Sequence, residues 1–192
     1  MTTIKTVTNA DLDAFYDTMF MAFTNDPVGR YSNPKASDYR AYFTGFQKIF
    51  CAEAVKNNTA FLTDCQAGAI AWFGPGVHMD YEALSKYFYE TMEKERVDTL
   101  LSVMDKCGEY SPEGNYWYLG MVGVDPYYTG QGLGGKLIKD MLDKVDQKHL
   151  PAYLESSNPQ NVSLYERLGF VAKDAFDLGG EAIMTPMVRP AQ

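Results

Sequence analysis

Val124-Asp125-Pro126-Tyr127-Tyr128-Thr129-Gly130-Gln131-Gly132-Leu133-Gly134-Gly135-Lys136 is the stretch on which the fold turns. Before it, Tyr116 to Val124 is an apolar run with strand character, interrupted by Gly120 and Gly123. After it, Leu133, Leu137, Ile138, Met141, Leu142 and Val145 recur along one helical face. The segment therefore joins a strand to a helix. Its glycines (Gly130, Gly132, Gly134, Gly135) free the backbone to adopt positive φ and to approach a ligand closely. The helix that follows opens with unpaired N–H groups and the positive end of its dipole. Two readings follow: a cradle for phosphates, or a turn needed only for tight helix–sheet packing.

Outward from this loop, the pattern alternates strands and helices. Upstream, a strand at Thr3 to Val7 meets Thr8-Asn9-Ala10-Asp11, whose spacing predicts a capping box. Leu12, Phe15, Tyr16, Met19, Phe20 and Phe23 make a helical stripe, which Asn25-Asp26-Pro27 ends. Val28 to Lys35 reads as a loop, and Tyr39, Tyr42, Phe43, Phe46, Ile49 and Phe50 as a second helix. Strands follow at Thr59–Thr63 and Ala69–Phe73, then helical pattern from Asp80 to Cys107 with one break. Downstream come a strand at Pro151–Ser156, a short helix at Pro159–Leu168, and strands at Phe170–Asp177 and Glu181–Val188 around Gly179-Gly180. The order predicts one α/β domain, residues 1–192, a mixed sheet with helices on both faces.

Composition narrows the partners. A net charge of −8 argues against nucleic acid, which calls for a basic face, and mildly favours cationic small molecules. No apolar run approaches the ~20 residues of a membrane span. The N-terminus lacks the pattern of a signal peptide, so a cytoplasmic protein is expected. Cys51, Cys65 and Cys107 are scattered, as reduced and mostly buried thiols are, and with only His78 and His149 beside them no metal site is expected.

The phosphate ligand is the next question. Gly130, Gly132 and Gly135 fit GxGxxG with Glu155 about 20 residues on, which is the pattern of a dinucleotide (NAD) site. Two features count against it. Asp125 to Thr129 separate the strand from the first glycine, and the chain ends before a long βαβ array can form.

The loop also resembles motif A of the GNAT-type N-acetyltransferases, a V-x-P turn followed by R/Q-x-x-G-x-G/A. Val124, Pro126, Gly132 and Gly134 match, and Thr129 stands where Arg or Gln is usual. A second stretch, Asn158-Pro159-Gln160-Asn161-Val162-Ser163-Leu164-Tyr165-Glu166-Arg167-Leu168-Gly169-Phe170, resembles motif B of the same family. Two motifs in order cover Tyr116 to Phe170.

The resemblance implies a mostly antiparallel central sheet with a splayed-strand cofactor groove. It implies acetyl-CoA as cosubstrate and acetyl transfer to a primary amine by direct attack. Val122, Gly123 and Val124 would pair with the pantetheine arm, and one N–H there would polarise the thioester carbonyl. Thr129, Gly130, Gln131, Gly132, Leu133, Gly134 and Gly135 would hold the pyrophosphate, and Asn158 would touch the cofactor near its pantetheine end. Tyr165 matches the family's general acid beside the sulfur. The motif A strand carries no glutamate, so Glu155 becomes the candidate base, with a structural carboxylate as its alternative reading. His78, a lone histidine, is left out. The first two helices, with Phe20, Phe23, Tyr31, Tyr39, Tyr42, Phe43 and Phe46, would wall the acceptor side and suit a small cationic or aromatic amine. A non-catalytic acyl-CoA sensor is the reading from another class. Monomer and homodimer stay open.

Overall fold

The computed structural model describes residues 2–192. The chain begins with β1 (Ile4–Thr6) and a short 3-10 turn, where the Asp11 carboxylate accepts from the Thr8 N–H at 3.1 Å, the reciprocal half of the expected capping box. Four helices follow: α1 (Leu12–Ala22), α2 (Pro27–Ser32), α3 (Ala36–Phe50) and α4 (Ala52–Lys56). Next come β2 (Ala60–Thr63), β3 (Gly68–Phe73), α5 (Tyr81–Thr91) and α6 (Lys94–Gly108). The second half runs β4 (Trp117–Val124), α7 (Leu133–Asp146), β5 (Ala152–Ser156), α8 (Val162–Arg167), β6 (Val171–Ala172), β7 (Phe176–Gly179) and β8 (Ala182–Arg189). Among the described residues no helix is long and apolar enough to cross a membrane.

Two expectations need correction. Val28 to Lys35 is not all loop, because Pro27 sits at the first turn of α2 and Asp26 caps it, accepting from the Gly29 N–H at 2.9 Å. Phe170–Asp177 is two short strands, with Lys173-Asp174-Ala175 between them. The thiols are mostly buried, as expected: Cys51 and Cys107 are buried and Cys65 is exposed. The break expected between Asp80 and Cys107 falls at Met92-Glu93.

Strand order across the sheet is β1-β2-β3-β4-β5-β8-β6, with β7 paired to β8 off this path. Every pairing is antiparallel except β4 with β5, for which α7 is the crossover that a parallel pair requires. This is the mixed, mostly antiparallel sheet of the expected fold. It lacks the parallel array that a dinucleotide site is built on.

Two cores lie on its two faces. One joins α1 and α3 to α6 and includes Phe15, Met19, Phe43, Phe73 and Met121. The other lies under α7 and includes Ile70, Trp72, Leu119, Leu137 and Leu154. Leu119 belongs to the second core and Met121 to the first, although a regular strand keeps residues two apart on one face. The register explains it. Trp72 faces Leu119 and Ala71 faces Met121, so Gly120 is an extra residue in β4, a β-bulge.

Gly120 is glycine for lack of space. A Cβ there would lie 2.5 Å from the Phe73 ring and 2.9 Å from the Phe50 ring, both buried. Gly120→Ala is expected to lower the unfolding free energy by about 1–3 kcal/mol through overpacking. Urea denaturation checks this as a lower midpoint at unchanged slope. An unchanged midpoint would mean that the two rings yield freely.

Candidate active site

Beyond the bulge, β4 and β5 part. They pair only through Trp117↔Ala152, Tyr118↔Tyr153 and Leu119↔Leu154. From there β4 stays with β3 as far as Val124, while β5 stays with β8 through Ser156. The V between them opens into a cleft of about 590 Å³. Leu119 to Val124 form one wall, Leu154, Glu155, Ser157 and Asn158 the other, and Leu164, Tyr165 and Arg167 line it from the α8 side.

At its outer end the cleft meets the glycine loop. Tyr128, Thr129, Gly130, Gly132, Leu133, Gly134 and Gly135 all line it. Gly130 and Gly132 have φ of +77° and +78° with open space where a Cβ would stand, so they are glycines for backbone conformation. Gly132 caps α7 without any side-chain partner, and the first turn of that helix holds no acid. Its free N–H groups and dipole suit a pyrophosphate. Thr129 is used differently from the arginine or glutamine usual in motif A, since its hydroxyl donates to the Pro126 carbonyl at 2.9 Å and closes the turn. Gln131 is exposed and does not line the cleft. Gly123 is glycine for space, with Ala22 of α1 2.5 Å from where its Cβ would be. The splay, the open glycine cradle and the unpaired edge of β4 together fit an extended pantetheine arm with a pyrophosphate.

Tyr165 is buried against Phe170, with ring centroids 6.2 Å apart. Burial raises its phenol well above the usual range, and the Asp26 charge adds to the effect, so the hydroxyl keeps its proton. Glu155 accepts hydrogen bonds from Tyr118 at 2.8 Å and Tyr153 at 3.0 Å. Desolvation pushes its carboxyl above the ordinary value against the pull of both bonds.

A second cavity, of about 120 Å³, adjoins the cleft. Phe43, Phe46, Phe50 and Phe88 form much of its wall, with Leu100, Met104 and Met184. Asp26, Gly120, Met121, Glu155 and Ser157 line both spaces, so the two meet there. Phe23, Tyr42, Phe43 and Phe46 of the expected aromatic wall reach this cavity. Phe20 and Tyr39 instead pack against each other as a tilted pair, ring centroids 4.9 Å apart, and Tyr31 lies under Arg96. His78 lines a separate cavity beside Tyr81 and Tyr116.

Two residues of the cleft escaped the sequence reading. Arg167 is the one lysine or arginine among the described residues lining it, a cation for an anionic cofactor in an acidic chain. Asp26 looked like a helix stop. It is buried at the junction, accepts from the Ser157 hydroxyl at 2.6 Å, and is pushed up to about 6 by desolvation, against the Ser157 and Gly29 hydrogen bonds. The signal in sequence was Asp-Pro ahead of an unrecognised helix.

The Asp26 shift has a defined sign. An unfolded aspartate ionises near pH 3.9 and the folded one near 6, so the native state holds the extra proton between these values. Stability is therefore highest at low pH, as far as this group is concerned, and falls as pH rises through this window. Asp26→Asn is expected to exceed the parent in stability by roughly 1–3 kcal/mol at pH 7, with the gap closing by pH 4. Denaturation at both pH values tests it, and a constant difference would refute the shift.

Comparison with known proteins agrees with this geometry. Residues 84–170 match the Acetyltransferase (GNAT) family. The chain is 30% identical over 190 residues to an uncharacterized N-acetyltransferase of Schizosaccharomyces pombe, covering 88% of this chain and 74% of the relative. Among solved structures, the histone acetyltransferase HPA2 and related acetyltransferase from Corynebacterium glutamicum superposes with a TM-score of 0.70 at 21% identity, covering 100% of this chain and 97% of the other. Arylalkylamine N-acetyltransferase 2 from Aedes aegypti superposes with a TM-score of 0.69 at 13% identity, covering 100% and 99%. Enzymes of this fold use acetyl-CoA as cosubstrate. With its splayed strands, its glycine loop and a relative of this identity along most of its length, the chain belongs to the GNAT family of acetyltransferases.

Proposed function

We propose that residues 1–192 act as one domain that transfers an acetyl group from acetyl-CoA to the primary amine of a small molecule with a ring-sized apolar body. One observation carries this reading. The cleft that suits the cofactor and the phenylalanine-lined cavity meet at two carboxylates, Asp26 and Glu155, near Tyr165. A cavity of about 120 Å³ compares with the ~150 Å³ apolar cavity known to admit one benzene ring. The Aedes aegypti neighbour, named for arylalkylamines, supports the class of acceptor.

In the proposed reaction, the β4 edge at Val122–Val124 and the loop at Gly130–Gly135 hold the cosubstrate, with Asn158 near the pantetheine end and Arg167 supplying positive charge. The acceptor enters as an ammonium, drawn between Asp26 and Glu155. Asp26, raised to about 6 by desolvation, takes one proton, while Glu155, fixed by two tyrosine hydroxyls, orients the amine. Glu155 thus passes from candidate base to cation-holding group. The freed nitrogen lone pair forms the C–N bond at the thioester carbonyl, the C–S bond breaks, and sulfur leaves with that electron pair. Tyr165 donates its proton to the sulfur and recovers one from the amine nitrogen as the amide forms or from solvent. The overall products are amide, free thiol and one proton.

The reading is tested by calorimetry with acetyl-CoA, with NAD in parallel, followed by turnover on a panel of amines. Micromolar binding of acetyl-CoA alone and faster turnover of apolar amines are expected. Binding without turnover of any amine would favour a sensor. Tyr165→Phe is expected to lower kcat at least tenfold with acetyl-CoA affinity unchanged.

The carboxylate roles separate in the pH profile of kcat/KM. Asp26→Asn is expected to lower it about 100-fold and to remove the limb near pH 6. Glu155→Gln is expected mainly to raise KM for the amine. The opposite pattern would exchange the two roles.

A further inference from the structure

The apolar cavity has an inner and an outer end. Gly120, Glu155 and Ser157 line the inner one, at the splayed strands beside the cofactor cleft. Helices supply most of the remaining wall, and among the described lining residues only Tyr42 is exposed, at 37%. The outer end therefore lies where α3 carries Tyr42. Tyr87 of α5 crosses to it there. It lines the cavity, is half-buried, and its hydroxyl donates to the Tyr42 carbonyl at 2.8 Å.

The sequence of α3 makes room for this crossing. Gly45 stands inside the helix, one turn on from Tyr42, where glycine is weaker than alanine. Its backbone has no positive φ to justify it. Space does. A Cβ at Gly45 would lie 2.7 Å from the Tyr87 ring carbon that bears the hydroxyl, and closer still to the oxygen. The missing side chain is a notch in α3 that seats the tip of the phenol. Gly45 itself does not line the cavity, so it bears on that space through Tyr87.

We propose that Tyr87 is a specificity-determining residue: seated at Gly45, it closes the outer end of the acceptor cavity and sets the longest apolar body the enzyme accepts. An amine held at Asp26 and Glu155 runs its body outward along Phe43, Phe46 and Phe88, and a ring that reaches too far meets the phenol. Forcing a group against a filled wall costs as overpacking does, and that cost separates long amines from short ones. This inference rests on the acceptor reading above.

The test compares 2-phenylethylamine with 4-phenylbutylamine on the full chain, as the ratio of their kcat/KM values. The unaltered enzyme is expected to prefer the shorter amine by about tenfold. Tyr87→Ala, which leaves the volume of the ring open, is expected to abolish or invert that preference. Tyr87→Phe keeps the ring and is expected to hold the ratio within about twofold of the parent. Gly45→Ala, whose methyl takes the phenol's seat, is expected to lower the preference as well. Each ratio is taken within one protein, so a partly unfolded sample does not alter it. No preference in the unaltered enzyme, or one that survives Tyr87→Ala or Gly45→Ala, would overturn the role of Tyr87 and leave the acceptor reading standing. Should neither amine react with the unaltered enzyme, the acceptor reading falls and the inference with it.

Discussion

The extra residue that Gly120 inserts into β4 governs the layout of the site. A regular β4 would keep Leu119 and Met121 on one face and run beside β5 along its length. With the bulge, the strand holds its pairing to β3 but changes face and gives up β5 after Leu119. The cost is a row of unpaired backbone groups lining a cleft. Extended ligands can pair with such an edge as an added strand does, which turns a defect of the sheet into a binding surface.

Electrostatics then separates two ends of one continuous space. At the outer end, the glycine loop and the start of α7 present N–H groups with no acid in the first turn, and Arg167 lines the same cleft from α8, which suits an anion although the whole chain is acidic. Screening within roughly 8 Å at physiological salt lets such local groups outweigh the distant charges of the chain. At the inner end two carboxylates sit beside phenylalanines, and desolvation lifts both above their ordinary values. An ammonium entering there finds charge, and its apolar body finds a dry wall. The proposed chemistry depends on this contrast, because it brings a proton acceptor with near-neutral affinity within reach of a thioester held from the other side.

Much of the fold was legible because its determinants are local. The glycine spacing from Gly130 to Gly135, the apolar stripe of α7 and the Gly179-Gly180 hairpin are written in consecutive residues. The helix α2 was missed because six residues are too few for periodicity to register, and Gly29 within it reads as a turn former. The division of Phe170–Asp177 into two strands was missed because pairing with β8, and not propensity, decides where each strand holds. In the candidate site, Asp26 escaped because it acquires meaning only when α2 lies against β8 and the apolar helices.

The sequence by itself determined the strand–loop–helix unit around Gly130, the second motif around Tyr165, and through their resemblance the family and its cosubstrate. Those depend on backbone conformations and short-range contacts that neighbouring residues dictate. Only the tertiary structure decided which carboxylates meet, where the sheet opens, and what shape the apolar cavity takes. Asp26 and Ser157 stand 131 positions apart, yet their hydrogen bond forms the corner between the two spaces. Long-range packing sets such a corner, and desolvation there gives an ordinary aspartate its unusual proton affinity.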